Sequence, residues 1–202
     1  KMAVRVPLLE VLASGAEIIA VNDMVGAEME PTGRRVINGI KEELQFAGLG
    51  YLELNGSTEE NMATSQTSVA VTVIGLVDRS KLKINSVNNN AILFGFGEPR
   101  MGKELVEKPE LEVTYEIIKQ FVSREEVLEI VPVGSKGILY EANLLAEMNE
   151  FTFTESAACH SSWLHKSAGP ATAVIIAVAE EDAPNFIQAY PEAYIVGKLI
   201  KK

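Results

Sequence analysis

Cysteines, histidines and long apolar runs are scarce in this chain of 202 residues. The single cysteine, Cys159, has no partner for an internal disulfide, so we predict a reducing, cytoplasmic environment. No apolar run approaches the roughly 18 residues of a membrane span, and the opening residues lack the apolar segment of a secretory signal. Two histidines, both near Cys159, leave too few ligands for a structural zinc site.

Positive charge is also in short supply. Eighteen basic residues against 28 acidic ones give a net charge of −10, which disfavours a nucleic-acid or anionic-membrane surface. A phosphate ligand would therefore need a metal ion or a local basic cluster. The P-loop, nucleophile-elbow and dinucleotide-binding glycine motifs are missing as well.

Helical and strand patterns alternate along the chain, which predicts an α/β fold. A polar stretch without apolar periodicity, 78–90, marks the predicted boundary between domains 1–80 and 81–202. The first helix is predicted to end at Gly15, which suits a left-handed cap. Helix 36–47 follows a buried strand at 18–25, a short strand is predicted at 51–54, and a strand rich in β-branched residues, covered on both faces, is predicted at 68–77. Beyond the boundary, strands are predicted at 91–96 and 151–155, among other elements. Lys1 has hardly any lead-in before the first helix, so we expect an upstream segment.

The segment Asn55–Asn61, predicted to be a loop between two strands, is dense in amides, hydroxyls and carboxylates. Magnesium takes oxygen ligands and shares them with substrate phosphates, and a glycine lets the backbone come close. The segment therefore fits a magnesium-phosphate site. A solvated turn is the alternative.

Two helix starts offer further anion sites. Glu28–Arg35 combines free N–H groups with Arg34 and Arg35, against the alternative of a capped helix with solvated arginines. Val133–Ile138 adds one lysine, Lys136, in a glycine-flanked turn, where an ordinary helix start is the favoured interpretation.

Together these segments resemble the aminoimidazole ribonucleotide (AIR) synthetase superfamily over nearly the whole chain. Gly15-Ala16-Glu17, helix 36–47 and Asn55–Met62 are similar to its ATP-binding half, where a Gly-Gly-Glu-Thr loop takes the place of Asn55–Thr58. Val133–Met148 and the segment from Gly169 to Gly197 resemble its second half.

This resemblance implies a two-domain α/β subunit. The first domain would contribute strands to a barrel across a homodimer interface, with ATP and Mg²⁺ bound nearby. Glu28–Arg35, Asn55–Asn61 and Val131–Gly137 are most similar to the α-ribazole kinases, which phosphorylate a nucleoside in cobalamin lower-ligand salvage. The implied function is thus ATP- and magnesium-dependent phosphoryl transfer to a nucleoside or nucleotide, without nucleic-acid or membrane partners.

Several motifs depart from the superfamily pattern. Leu9-Glu10 replaces an Asn-Asp pair, and Ser57 replaces the loop acid. An N-terminal glycine-rich acidic segment either precedes Lys1 or is lacking. A non-catalytic nucleotide-binding dimer, or AIR synthetase-type activation of a carbonyl or carboxyl group, therefore stay open as alternatives.

Site residues follow from the resemblance. The predicted metal ligands are Glu10, Glu59 and Glu60. The predicted ATP-binding residues are Asn55, Gly56, Ser57 and Thr58. Lys136 and Arg34 are expected to neutralise developing charge. Glu30 and Asp23 are the candidates for a general base.

Overall fold

Two sheets, flanked by helices, organise the chain. The computed structural model describes all residues, 1–202. No helix combines the length and the apolar character needed to cross a membrane. The helices are α1 (Met2–Ala13), α2 (Arg34–Phe46), α3 (Glu104–Glu107), α4 (Tyr115–Ser123), α5 (Ile138–Met148), α6 (Ser161–Leu164) and α7 (Ala183–Ala189). The strands are β1 (Glu17–Gly26), β2 (Leu54–Thr58), β3 (Ser68–Leu76), β4 (Ala91–Phe96), β5 (Val127–Pro132), β6 (Phe151–Glu155), β7 (Val174–Ala179) and β8 (Tyr194–Lys201).

The first sheet has three strands in the order β2-β1-β3. The central strand β1 runs parallel to β2 and antiparallel to β3. Its inner side chains Ile18 and Val21 share a core with Leu8 of α1 and with Ile40 and Leu44 of α2. The opposite face of the sheet carries no helix, so its apolar side chains stay exposed.

The second sheet has five antiparallel strands in the order β5-β7-β4-β8-β6. Successive residues of the central strand β7 enter different cores: Ile176 packs with Phe121 and Phe186, whereas Ile175 packs with Ile138 and other residues of α5. Because strand side chains alternate between faces, both faces of this sheet are covered. This explains the nearly continuous apolar sequence of β7.

Helix α1 joins the two halves. The guanidinium of Arg5, which is 2% exposed, donates to the carbonyl oxygens of Pro170 (3.2 Å) and Val113 and lies 5.5 Å from the ring centroid of Tyr115. The Tyr115 hydroxyl in turn donates to Glu43 Oε1 of α2 at 2.7 Å. One apolar core therefore crosses the predicted boundary at residue 80. The division into two domains stays a prediction, with one sheet on each side of it.

The sequence predictions hold for most elements, and the assignment is wrong at β2. Gly15 ends the first helix with φ +84°, in the left-handed region predicted for it. The predicted loop, however, begins as a strand: Leu54–Thr58 forms β2 and pairs with β1. Strand β3 was predicted to be covered on both faces, yet within this chain its alternate residues are exposed.

Candidate functional site

The end of β2 lies against a buried carboxylate on β1. The two strands are parallel and pair Asp23 with Gly56, so polar residues at their carboxyl ends meet at one edge of the sheet. A Cβ on Gly56 would stand 2.5 Å from both the carbonyl oxygen and Oδ1 of Asp23. Glycine at position 56 therefore makes room for the carboxylate.

Asp23 is 2% exposed, and its Oδ2 atom is buried without a hydrogen-bond partner. Burial raises the pKa of this carboxyl group, because the charged form is poorly solvated there. Buried polar atoms are nearly always hydrogen-bonded in folded proteins. Among the carboxylates near the end of β2, Asp23 is therefore the one with a buried oxygen atom that accepts no hydrogen bond.

The polar residues of β2 itself stay accessible. Asn55, Gly56 and Ser57 are exposed, and the Asn55 side-chain oxygen accepts from the Gly56 N–H at 2.9 Å. Thr58 Oγ1 lies 3.2 Å from Glu60 Oε1. The structure therefore places all four predicted nucleotide-binding residues on one strand, with their polar groups available to a ligand.

The turn that leads into α2 packs against the end of β2. A Cβ on Gly33 would stand 2.9 Å from Thr58 Cγ2, which shows how closely this turn approaches β2. Glu28 caps the turn by accepting from the Thr32 N–H at 3.3 Å and from its hydroxyl, and these bonds lower the pKa of Glu28. Arg34 Nε donates to Glu30 Oε1 at 2.8 Å. Two of the predicted catalytic residues, Arg34 and Glu30, are therefore paired with each other.

A cavity of about 490 Å³ opens between α2 and the end of β2. A second one, of about 320 Å³, lies beside it towards the exposed face of the sheet, and Asp23 and Asn55–Ser57 line both. The larger cavity is lined by Asp23, Met29, Arg34, Ile37, Lys41 and residues 54–58. Its volume is in the range of small-molecule sites.

The two loop acids that were predicted to bind metal have backbone partners. Glu59 Oε1 accepts from the N–H groups of Asn61 (2.6 Å) and Met62 (3.2 Å), and Glu60 Oε1 accepts from the N–H of Met29 (2.6 Å). These bonds shape the turn after β2 and join it to the turn before α2. No group of three or more histidine, cysteine, aspartate or glutamate side chains is arranged to hold a metal ion.

Glu10 and Lys136 belong to a second group, between α1 and α5. The pKa of Glu10 is raised to about 7, first by burial and then by the negative charge of Glu141. Burial also raises the pKa of Glu141, against the opposing effects of the Gly134 backbone and Lys136. Lys136 Nζ lies 4.1 Å from the ring centroid of Tyr140. No hydrogen bond or ion pair links this group to the β2 cavity.

Sequence reasoning missed Lys41 and named Asp23 only as a candidate base. Lys41 stands seven residues after Arg34, which puts both on one face of α2, and this spacing is a signal that the sequence contains. Asp23 could be noticed as a carboxylate inside a buried strand. Its missing partner is visible only in the tertiary structure.

Comparison with known proteins identifies solved structures with a similar fold. No family model and no curated protein sequence matches the chain. Among solved structures it is similar to E. coli HypE, a hydrogenase maturation protein (TM-score 0.73, 14% identity, 100% of this chain and 73% of that chain). HypE in a HypE–HypF complex gives a TM-score of 0.72 at 11% identity, over 100% of this chain and 77% of that one. T. maritima PurL complexed with ATP gives 0.67 at 15% identity, over 98% of this chain and 36% of that one.

HypE and PurL are members of the AIR synthetase-like superfamily. The chain has the AIR synthetase-like fold. Identities of 11–15% establish this fold and nothing finer, so the α-ribazole kinase subgroup rests on the sequence resemblance alone. The larger cavity at the end of β2 is lined by Asn55–Thr58, the residues that the sequence resemblance predicts to bind ATP.

Proposed function

We propose that this protein is a cytoplasmic ATP-dependent phosphoryl-transfer enzyme, and that its specific activity is that of an α-ribazole kinase. ATP binding is supported by the fold neighbours, since solved structures include HypE in complex with ATP and PurL complexed with ATP and with ADP. The subgroup is supported by the sequence resemblance of Glu28–Arg35, Asn55–Asn61 and Val131–Gly137.

The observation that carries the proposal is the convergence at the end of β2. An accessible glycine-containing strand, two hydroxyl side chains and the cations Arg34 and Lys41 surround one cavity. Phosphoryl transfer needs positioning and neutralisation of charge more than covalent chemistry by the protein. We assign Asn55, Gly56, Ser57 and Thr58 to binding of the nucleotide phosphates and Arg34 to the charge that develops during transfer.

The general base is assigned to Asp23. Glu30 is exposed and paired with Arg34, whereas Asp23 is a buried residue of the cavity lining whose Oδ2 accepts no hydrogen bond. Its raised pKa makes it a better proton acceptor from a hydroxyl than an ordinary aspartate. Lys136 lies with Glu10 and Glu141, so in this proposal its role is at that second group.

Magnesium fits the chain only in part. The predicted ligands Glu10, Glu59 and Glu60 form no common set, and the two loop acids already accept from backbone N–H groups. Magnesium in nucleotide sites is held mainly by substrate phosphates and water, with one or two protein carboxylates. In this proposal Mg²⁺ enters the site bound to the phosphates of ATP.

A homodimer is part of the proposal. The uncovered face of the first sheet carries Ile19, Met24, Ile74 and Leu76, which are between 43% and 64% exposed. Large apolar side chains exposed on one sheet face are typical of an interaction surface. A second copy of the same sheet would cover it and bring the partner's loops close to the smaller cavity.

The test is nucleotide binding followed by turnover. ATP is titrated into the full chain by calorimetry, and ADP release is then followed with ATP, α-ribazole and magnesium. We expect binding of ATP and ADP formation that depends on α-ribazole, with Asp23→Asn slowing turnover by about 10²-fold or more while ATP still binds. Tight ATP binding without any ADP formation would rule out the kinase.

One structural observation favours the second candidate, a non-catalytic nucleotide-binding dimer: the two loop acids Glu59 and Glu60 accept hydrogen bonds from backbone N–H groups. AIR synthetase-type activation of a carbonyl or carboxyl group is the third. Replacing α-ribazole by a panel of amide and carboxylic acid substrates distinguishes it from the kinase, because ADP formation would then follow the panel.

A further inference from the structure

A third cavity, of about 390 Å³, lies along α2 beside the larger one. It opens between the C-terminal half of the helix and residues 50–54, the segment that leads into β2. Lys41 and Leu54 line both cavities, so the two spaces adjoin at these side chains. The nucleotide phosphates are assigned to the larger cavity, and an acceptor needs a space next to them. The third cavity is such a space.

Three leucines give the third cavity an apolar wall. Leu44 is 2% exposed, and Leu52 and Leu54 are half-buried and pack against the same core. The smaller cavity beside β2, by contrast, has Met24 as its one apolar lining residue. Sites for small molecules bind the ring systems of their ligands mainly against apolar side chains. The third cavity therefore suits the base of a nucleoside better than the smaller cavity does.

The charged residues of this lining balance each other. Lys41 and Glu53 are exposed and form no ion pair, either together or with other residues. Their charges sum to zero, so the cavity has no net attraction for a phosphate or another charged ligand. Gln45, one turn after Lys41, adds an amide that can both donate and accept. These polar groups can bind the hydroxyls of a neutral sugar.

We propose that the third cavity binds the acceptor, a neutral ribonucleoside with an apolar bicyclic base. The base lies against the three leucines, and the ribose hydroxyls lie at Gln45 and Glu53. The hydroxyl that receives the phosphoryl group is directed past Lys41 towards the larger cavity. This inference rests on the proposed function for the place of the nucleotide, and extends it to the residues that select the acceptor.

The apolar wall also predicts which base is preferred. Leucine side chains offer no hydrogen-bond partner, so amino and carbonyl groups on a base lose water there without replacement. The benzimidazole base of α-ribazole carries no such group, whereas adenine carries an amino group and guanine carries both. We therefore expect α-ribazole to bind more tightly than adenosine, and adenosine more tightly than guanosine, by roughly tenfold at each step.

Calorimetry with the full chain measures the binding of α-ribazole, adenosine, guanosine and ATP separately. Gly50→Val narrows the cavity, since a Cβ on Gly50 would stand 3.1 Å from Gln45 Cγ. Gln45→Ala and Glu53→Ala, at exposed positions, each remove a partner of the ribose. We expect each of the three variants to weaken α-ribazole by roughly tenfold and to raise its KM, while ATP binds as before.

Gln120→Ala, at an exposed glutamine of α4, is the matched control and should leave every affinity unchanged. Thermal melting without ligand verifies that each variant is folded. No binding of α-ribazole, equal α-ribazole affinities in all variants, or a preference for guanosine overturns the inference. So does a loss of ATP affinity in the three variants, because the base of the nucleotide would then occupy the cavity. Absence of ATP binding, with α-ribazole affinities that still respond to the three variants, contradicts the proposed function instead.

Discussion

The two sheets bury apolar surface in different ways. In the second sheet, Ile175 and Ile176 of β7 are adjacent, face opposite cores and are both 0% exposed. In the first sheet, Ile74 and Leu76 of β3 are 43% and 64% exposed because no helix covers their face. The second sheet is covered on both faces within the chain, whereas the first sheet holds the candidate site and leaves an apolar face exposed.

The largest loss of stability is expected from shortening a core side chain that packs against the second sheet. Phe121 is 0% exposed and contacts Phe96, Phe186 and Tyr190, with ring centroids 5.3, 5.8 and 4.9 Å away. Phe121→Ala should lower the free energy of unfolding by about 3–5 kcal/mol, since it removes buried surface and leaves a cavity. Urea denaturation measures this.

Leu76→Ala is the comparison on the open sheet. At concentrations where the chain is monomeric, we expect it to change the free energy of unfolding by no more than about 0.5 kcal/mol, because the side chain is already in water. A loss similar to that of Phe121→Ala would show that the outer face is covered within one chain.

The next prediction tests that outer face directly. Leu76→Asp places a charge in the proposed dimer interface, where it would be desolvated, and should shift the protein from dimer to monomer without unfolding it. Sedimentation velocity over a range of concentrations measures the change. Val106→Asp, at an 82% exposed residue of α3, is the matched control. A wild-type chain that stays monomeric throughout, or a dimer that survives Leu76→Asp, would refute the interface.

A smaller effect is expected where β2 meets β1. Gly56→Ala puts a methyl group 2.5 Å from Asp23 Oδ1 and should cost about 1–3 kcal/mol of stability, because backbone or carboxylate has to move. ATP binding should weaken in parallel. Thermal melting without ATP measures the loss of stability, and the rise in melting temperature on adding ATP measures the change in ATP binding.

Gly39→Ala, in the middle of α2, is the control for this substitution. Outside its own helix, its Cβ would come no closer than 3.2 Å, to the backbone nitrogen of Lys1. If Lys1 shifts slightly to relieve this contact, alanine in a helix interior should raise stability by about 0.5–1 kcal/mol. If both glycine variants behave alike, the close packing of Asp23 on Gly56 has no energetic importance.

The same contrast between the sheets explains what the sequence could predict. Strands Ala91–Phe96 and Phe151–Glu155 were predicted with the bounds that the structure gives, because covered or alternating apolar residues specify them locally. β2 was mistaken for a loop, since Leu54-Asn55-Gly56-Ser57-Thr58 has almost no apolar character and becomes a strand through pairing with β1.

The candidate site divides in a similar way. Arg34 and Asn55–Thr58 were predicted as a group and do line one cavity, because motif position reflects the fold. Glu10 and Lys136 were assigned to the same site, and the structure places them with Glu141 instead, between α1 and α5. Which acids converge depends on how the two halves pack, and a single sequence contains no direct record of that packing.

The smallest effect concerns this junction between the halves. The pKa of Glu10 is raised from its ordinary value to about 7, so between about pH 4.5 and 7 the folded chain holds a proton that the unfolded chain has released. Stability should therefore fall as the pH rises through this window. Although neighbouring parts of the chain desolvate the Glu10 carboxyl group, the residue keeps an exposed surface, so solvent screening makes the change smaller than the full shift would give.

Glu10→Gln should remove this dependence. We expect it to raise the melting temperature relative to the unaltered protein at pH 8 and to change it little at pH 4, where the carboxyl group is neutral in both states. Glu141→Gln should narrow the window, because it removes the neighbouring charge that raises the pKa of Glu10. Glu147→Gln, at an exposed carboxylate of α5 without an ion pair, is the control. A melting-temperature difference between Glu10→Gln and the unaltered protein that is the same at pH 4 and pH 8 would mean that the pKa of Glu10 is not raised in the folded chain. An unchanged window in Glu141→Gln would mean that burial alone raises it.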